Sequence, residues 1–186
     1  MALKSVLLLR GGLNVLFGVF LLAATQSEEL RGFGRGGVYG LADGAAGLLL
    51  ALALFPLGRY WLFVLALVDA LARVLLGLLI LNNPGLQTTG LGGAFFVTVV
   101  IAVCIMLGVA GLVASVFASR RNLELPNARV PIAPIVIMSI ATLALGIGLA
   151  LGFLDDTRRL LLAGYAIVFG ASLCWGALSL RSPAAA

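Results

Sequence analysis

The sequence predicts an all-α integral membrane protein with six transmembrane helices in a single domain over 1–186. Apolar stretches fill most of the chain, at 6–24, 37–55, 61–81, 93–119, 134–153 and 160–180. Each is close to the roughly 20 apolar residues that a helix needs to cross a bilayer. The composition agrees, because 62% of residues are hydrophobic, 10% are charged and the mean hydropathy is +1.20. The stretches are continuous, whereas the strands of a membrane β-barrel alternate, so helices are predicted throughout.

The first apolar stretch is predicted to be a retained span. Lys4 before an apolar run, with Ala23 and Ala24 after it, is also typical of a cleaved secretion signal, which is the alternative interpretation. Arg10 argues against cleavage, because it interrupts the region that a signal keeps apolar.

The second and third spans carry ionisable residues deep in their sequence: Asp43, then Asp69 and Arg73. Such residues cost about 2.5–3.5 kcal/mol each at a helix centre, so they normally face the bundle interior and pair. Asp69 and Arg73 are four residues apart and share a helix face. Counted from the ends of their spans, Asp43 and Arg73 lie at similar depths in the membrane, and so do Arg10 and Asp69. We therefore predict a buried network of Arg10, Asp43, Asp69 and Arg73.

Two roles for this network stay open from the sequence. It can be a neutralised polar cluster that fixes helix register and does nothing else. Alternatively, it responds to protons, because an aspartate that lost its arginine partner would take up a proton rather than stay charged in hydrocarbon.

The second span also carries glycines four residues apart, Gly36, Gly40 and Gly44, with Gly32 before them. Small residues at this spacing let two helices approach closely in lipid, so the stripe is predicted to pack against a neighbouring helix. A ligand passage along the stripe is the alternative.

The six spans fall into three similar pairs. The even spans align with glycine at Gly44, Gly108 and Gly170, and the odd spans align at Gly18, Gly77 and Gly146. This self-similarity predicts three helical hairpins, at approximately 6–55, 61–119 and 134–180, around a pseudo-threefold axis. The abundance of Leu, Ala and Gly is the alternative explanation. Under the alignment Arg10, Asp69 and Met138 are equivalent, so Arg10 and Asp69 are expected to approach each other near the axis.

Short motifs along almost the whole chain are similar to those of one family. They are Leu9-Arg10-Gly11, Leu16-Phe17-Gly18, Tyr39-Gly40-Leu41-Ala42-Asp43-Gly44 and Gly164-Tyr165-Ala166-Ile167-Val168-Phe169-Gly170, with Arg181 closing the last span. With these motifs the chain resembles the HdeD-like acid-resistance proteins, which are small bacterial inner-membrane proteins built from repeated hairpins. The resemblance implies a role in acid or envelope stress tolerance. The fourth span lacks the aromatic and acidic residues of this pattern.

The net charge of +5 is interpreted as a topology signal, since the chain lacks the concentrated basic face of a nucleic-acid-binding protein. Seven basic residues fall at the N-terminus, the C-terminus and the loops on their side, against four on the other side. Basic residues favour the cytoplasmic side, so both termini are predicted to be cytoplasmic, in a bacterial inner membrane.

The residue types disfavour enzyme chemistry. The chain has no His, and Cys104 and Cys174 lie apart inside spans, so no catalytic residues, metal ligands or cofactor site are predicted. We expect a non-enzymatic protein whose partners are the lipid bilayer and either further copies of itself or a larger membrane complex. The alternatives are an accessory structural subunit and, with less support, a small proton or solute transporter.

Overall fold

In the computed structural model, the described residues form six long helices in the chain order that the sequence predicts. The structure describes residues 2–24, 34–57, 60–82, 91–120, 124–125, 128–129, 132–151 and 155–180, with side chains for 3–23, 37–56, 60–82, 98–116, 132–151 and 160–180. The helices are α1 (Ala2–Ala24), α2 (Gly34–Leu54), α3 (Tyr60–Asn82), α4 (Leu91–Arg120), α5 (Ile132–Ala150) and α6 (Asp155–Ser179). All six have the length and hydropathy to cross a membrane, which confirms the predicted fold class.

One small element between α4 and α5 was not predicted. The strands β1 (Glu124–Leu125) and β2 (Ala128–Arg129) pair antiparallel, with Glu124 opposite Arg129 and Leu125 opposite Ala128. A pairing of two residues on each strand is too short to leave an alternating pattern in the sequence.

The interior of the bundle is built largely from small residues, whereas large aliphatic side chains face outward. Ala51, Ala70, Ala163, Ala166 and Ala177 are almost completely buried. Leu16, Leu52, Leu75, Leu151 and Leu178 are among the many exposed large side chains. This distribution fits a helical bundle in lipid, where acyl chains solvate Leu and close backbone approach holds the helices together.

The helices are arranged in a ring. Each helix contacts the next along the chain, and α6 contacts α1, which closes the ring. The packing alternates in tightness: α1 with α6, α2 with α3 and α4 with α5 pack most closely, while α3 and α4 barely touch. The close pairs therefore join one predicted hairpin to the next, rather than the two helices of one hairpin.

Glycines at the aligned positions make equivalent contacts in these close pairs. A Cβ added to Gly18 would lie against Ile167, one on Gly77 against Leu41, and one on Gly146 against Ile105. The three contacted residues are themselves equivalent under the alignment. Likewise, a Cβ added to Gly44 would lie against Val74, one on Gly108 against Leu143, and one on Gly170 against Val15. These three contacted residues are again equivalent. The contacts are thus equivalent under the alignment, and the pseudo-threefold arrangement of three hairpins stays a prediction.

The glycine stripe of α2 packs against α3. A Cβ on Gly40 would lie 3.2 Å from Cα of Gly77, and one on Gly44 would lie 2.6 Å from Cγ2 of Val74. The stripe continues through Gly37 and Gly47, which also face α3. Gly36 lies in α2, but its contacts fall outside the described part of the chain, as does Gly32 altogether. Because α3 covers Gly40 and Gly44, this face of α2 is not free for a ligand passage or a foreign helix.

Candidate functional site

Four helices each contribute two side chains, spaced four residues apart, to one buried polar cluster. Residues at this spacing lie on one face of a helix, so each helix projects a vertical pair of side chains into the bundle. The pairs are Arg10 and Asn14 on α1, Tyr39 and Asp43 on α2, Asp69 and Arg73 on α3, and Tyr165 and Phe169 on α6.

The four charged residues form a closed set of ion pairs in which cations and anions alternate. Arg10 Nε lies 3.1 Å from Asp43 Oδ1, and Arg73 Nη1 lies 2.7 Å from Asp43 Oδ2. Arg73 Nε lies 2.9 Å from Asp69 Oδ1, and Arg10 Nη2 pairs with Asp69 Oδ2. Each carboxylate thus contacts both guanidinium groups, so the set carries no net charge and each desolvated ion faces two of opposite sign.

Burial is uneven across the two carboxylates. Asp43 is 0% exposed and Arg10 is 2% exposed. The side chains of Asp69 and Arg73 keep 17% and 15% of their accessible surface. Asp69 is therefore the carboxylate that a molecule inside the bundle can reach.

Asn14 and Tyr39 extend the network with neutral hydrogen bonds. Asn14 Nδ2 donates to Asp43 Oδ1 at 2.6 Å and to the carbonyl oxygen of Arg10 at 2.9 Å. The Tyr39 hydroxyl donates to Asn14 Oδ1. The Tyr39 ring stacks on Phe17, with ring centroids 3.5 Å apart and planes within 3°. Asn14 is completely buried, so these contacts replace the water that its amide would otherwise bind.

Two aromatic residues of α6 cover the arginines. Arg73 Nη2 donates to the Tyr165 hydroxyl oxygen at 2.7 Å. The guanidinium carbons of Arg73 and Arg10 lie 4.8 Å and 5.4 Å from the ring centroid of Phe169. Both distances fall within the range of a cation–π contact. Through these contacts α6 joins α1, α2 and α3 around the network.

A cavity of about 220 Å³ lies beside the network and reaches the end of the bundle where α1 begins and α6 ends. At its inner end it is lined by Arg10 and Asp69, and towards the bundle end by Leu3, Leu54 and Leu180. Ser139, Thr142 and Ser172 also line it, and the hydroxyl of each donates a hydrogen bond to a carbonyl oxygen of its own helix. The remaining lining side chains are apolar apart from glycine positions.

Part of the cavity wall is formed by uncharged residues that align with members of the polar network. Under the alignment, Met138 and Thr142 of α5 correspond to Arg10 and Asn14 of α1, and Leu107 of α4 corresponds to Asp43 of α2. All three of these residues line the cavity. The network thus takes its charged side chains from α1, α2 and α3, while the aligned positions on α4 and α5 carry uncharged side chains that line the cavity.

The structure brings together all four residues that the sequence placed in the network. The expected contacts of Arg73 with Asp69 and Asp43, and of Arg10 with Asp69, are present, and Arg10 with Asp43 is an additional pair. Sequence reasoning missed the roles of Asn14, Tyr39, Tyr165 and Phe169. Asn14 carried a signal, since it is a polar residue in mid-span four positions after Arg10. The aromatic residues carried none, because buried aromatic side chains are common in any bundle.

No group of three or more potential His, Cys, Asp or Glu metal ligands occurs within the described residues. Comparison of the chain with protein-family models, with curated proteins and with solved structures finds no match in any of the three.

Proposed function

We propose that this chain is a non-enzymatic bacterial inner-membrane protein that supports acid or envelope stress tolerance, with the buried network as its acid-sensitive element. The observation that carries the proposal is the neutral, alternating set of Arg10, Asp43, Asp69 and Arg73 at the centre of the bundle. Intramembrane ionisable residues are costly and usually belong to a functional pathway. The motifs shared with the HdeD-like proteins favour acid stress as the condition.

Protonation would change the network because its charges balance. A proton on Asp69 removes one negative charge and leaves one guanidinium charge uncompensated inside the bundle. Leaving a buried charge without its partner costs about 3–5 kcal/mol, so the protonated network favours a different arrangement of its side chains. The ion pairs join α1, α2 and α3, and therefore a rearrangement changes how these helices pack.

The test replaces the accessible carboxylate. Asp69→Asn is reconstituted in liposomes to follow proton uptake on acidification, and it is expressed in cells to measure acid survival. We expect loss of both responses, because the amide cannot take up the proton. Normal proton uptake and normal survival would remove Asp69 from any proton role.

A charge-matched variant separates a proton role from simple misfolding. Asp69→Asn combined with Arg73→Gln removes one charge of each sign, so the Arg10 and Asp43 pair remains balanced. We expect this double variant to fold and still fail in acid. Acid survival equal to the unchanged protein would mean that the network fixes helix register and does not sense protons.

An accessory role in a larger assembly is the second candidate, and the packing between α3 and α4 favours it. These two helices make the loosest contact in the ring, although they follow one another in the chain. A helix of another subunit, or of a second copy, would fit between two such loosely packed helices. Native mass spectrometry after purification in mild detergent tests this, since a monomer without partners contradicts it.

The small-transporter alternative is supported by the cavity, which reaches Asp69 from one end of the bundle. It predicts proton or solute flux across liposomes containing the protein. Proton uptake that saturates without flux favours a sensor over a transporter.

A further inference from the structure

The inner end of the cavity is lined by a basic and an acidic side chain, of which Asp69 is the more exposed. Arg10 and Asp69 both line it, and they pair with each other through Nη2 and Oδ2. A guanidinium group carries five N–H donors, and the described contacts of Arg10 use three of them. A carboxylate has about four acceptor positions, and the described hydrogen bonds of Asp69 occupy two.

The charge balance of the network selects the class of ligand. Asp69 already faces two guanidinium groups, and the four charged residues sum to zero. A cationic or anionic head at this place would therefore bring a net charge into a desolvated site, which is strongly unfavourable. A neutral head that both donates and accepts a hydrogen bond satisfies the site without this cost.

An undissociated carboxylic acid has such a head. Its O–H donates and its carbonyl oxygen accepts, and the two atoms are neighbours on one carbon, as the Asp69 oxygen and the Arg10 nitrogen are neighbours across their ion pair. The hydroxyls of Ser139, Thr142 and Ser172 do not compete as donors, because each already donates within its own helix.

The walls set the nature of the rest of the ligand. Beyond Arg10 and Asp69 the lining is mainly Leu, Ile, Met, Phe, Ala and Pro, up to Leu3 and Leu180 at the bundle end. The volume of about 220 Å³ is below the roughly 300–1,000 Å³ of a typical ligand pocket, so the chain must be short or of medium length.

We propose that the cavity binds the undissociated form of a medium-chain carboxylic acid, with the acid head on Asp69 and Arg10 and the apolar chain directed towards Leu3, Leu54 and Leu180. The site shares Asp69 with the proposed acid response but does not rest on it, because the neutral head is selected by the network with Asp69 ionised. Binding without any effect on acid survival would leave the ligand site standing.

The test measures binding of radiolabelled decanoic acid to the protein in nanodiscs of neutral phospholipid, with empty nanodiscs subtracted. At about pH 4, where a carboxylic acid is largely undissociated, we expect saturable binding at one site per chain. At about pH 8 we expect binding to fall by about tenfold or more, because the anion is excluded. Methyl decanoate has no O–H, so at about pH 4 it should compete about tenfold less well than the acid.

A pair of glycine variants on α6 locates the site. Gly176 lines the cavity, and a Cβ added there would be 3.7 Å from Cβ of Pro134, an ordinary contact distance. Gly176→Leu should therefore fill the cavity and weaken decanoic acid binding by about tenfold or more. Gly164→Leu is the matched control, since a Cβ at Gly164 has no atom within 4 Å, and it should bind as the unchanged protein does.

Three outcomes would overturn the proposal: no saturable binding at about pH 4, equal competition by the methyl ester, or unchanged binding by a folded Gly176→Leu variant. The ester experiment uses the unchanged protein, so it decides the head-group chemistry even if Gly176→Leu does not fold.

Discussion

Asn14 holds the charged residues in position although it has no charge itself. Its amide nitrogen donates to Asp43 and to its own helix, and its oxygen accepts from Tyr39. An amide can perform both functions because it carries a donor group and an acceptor group on one planar unit. The orientation of Asp43 towards both arginines therefore depends in part on Asn14.

Asn14→Ala should destabilise the bundle by about 1–2 kcal/mol, because Asp43 and Tyr39 each lose a buried hydrogen bond. The measurement is reversible unfolding in mixed micelles with increasing sodium dodecyl sulfate. Ser172→Ala is the control, since the Ser172 hydroxyl bonds only to a carbonyl oxygen of its own helix among the described contacts. Equal effects of the two variants would contradict a structural role for Asn14.

Arg73 uses each of its nitrogen atoms on a different partner: Nε on Asp69, Nη1 on Asp43 and Nη2 on Tyr165. Lysine keeps the charge but not this planar, forked geometry. Arg73→Lys should therefore keep the network neutral and lose the contact with α6, at about 1 kcal/mol.

A double-mutant cycle checks this expectation. In the unchanged background, Tyr165→Phe should lower the stability by about 1 kcal/mol, and in the Arg73→Lys background it should have no effect. The difference, about 1 kcal/mol, is the coupling energy between the two positions. An undiminished effect of Tyr165→Phe in both backgrounds would mean that Tyr165 acts independently of Arg73.

The sequence located the charges but not their neutral partners, and the reason lies in helix geometry. The cost of charge in lipid and the rise per residue are enough to place Arg10, Asp43, Asp69 and Arg73 at matching depths. Which neutral side chain faces the network depends on the rotation of each helix. That rotation is set by the contacts of glycines such as Gly18 and Gly77 with the neighbouring helix, and the sequence alone does not give it.

At the scale of the elements, glycine sets the distance between α2 and α3. A Cβ on Gly77 would lie 2.8 Å from the carbonyl oxygen of Gly37 and 2.8 Å from the amide nitrogen of Leu41. Both are backbone atoms, so a rotamer change cannot relieve the overlap, and the helices must separate. Separation would also lengthen the contact between Arg73 and Asp43, which lie on these two helices.

Gly77→Ala should therefore destabilise the protein by about 1–3 kcal/mol, the usual range for overpacking. Gly12→Ala is the matched control on α1, because a Cβ there meets nothing within 4 Å, and it should cause no loss. Unfolding in mixed micelles measures both. If Gly77→Ala were as stable as Gly12→Ala, the close approach of α2 and α3 would not be essential to the fold.

The predicted glycine stripe illustrates what spacing alone can establish. Counting by four from Gly36 gave Gly40 and Gly44, which do face α3. The residues that continue the contact are Gly37 and Gly47, so the spacing alternates between three and four. An antiparallel helix pair follows such an alternating pattern, because 3.6 residues per turn lies between the two intervals.

At the scale of the whole molecule, α1 and α6 are neighbours in the closed ring, and the start of α1 lies at the same end of the bundle as the end of α6. Leu3 near the start of α1 and Leu180 after α6 both line the cavity there, beside Leu54 at the end of α2. The loop arginines on which the topology prediction depends lie outside the residues whose side chains are described. Arg10, which counted towards the N-terminal charge, is buried and paired, so it contributes no free charge at the surface.

Without Arg10, six basic residues remain on the predicted cytoplasmic side against four on the other side. We therefore still expect both chain ends in the cytoplasm, with the cavity reached from that side. Fusions of green fluorescent protein to either end should fluoresce, and alkaline phosphatase at the same places should be inactive. The same reporters inserted between α1 and α2 should give the reverse pattern.

The margin of two basic residues makes the orientation sensitive to the loop between α4 and α5. Replacing Arg120, Arg121 and Arg129 by glutamine leaves three basic residues against four, so the orientation should become mixed. Glutamine at Arg158 and Arg159 is the control, since it increases the asymmetry and should leave the orientation unchanged. An orientation that stays uniform in the triple variant would show that another feature of the chain, rather than the loop charge, decides on which side of the membrane the cavity lies.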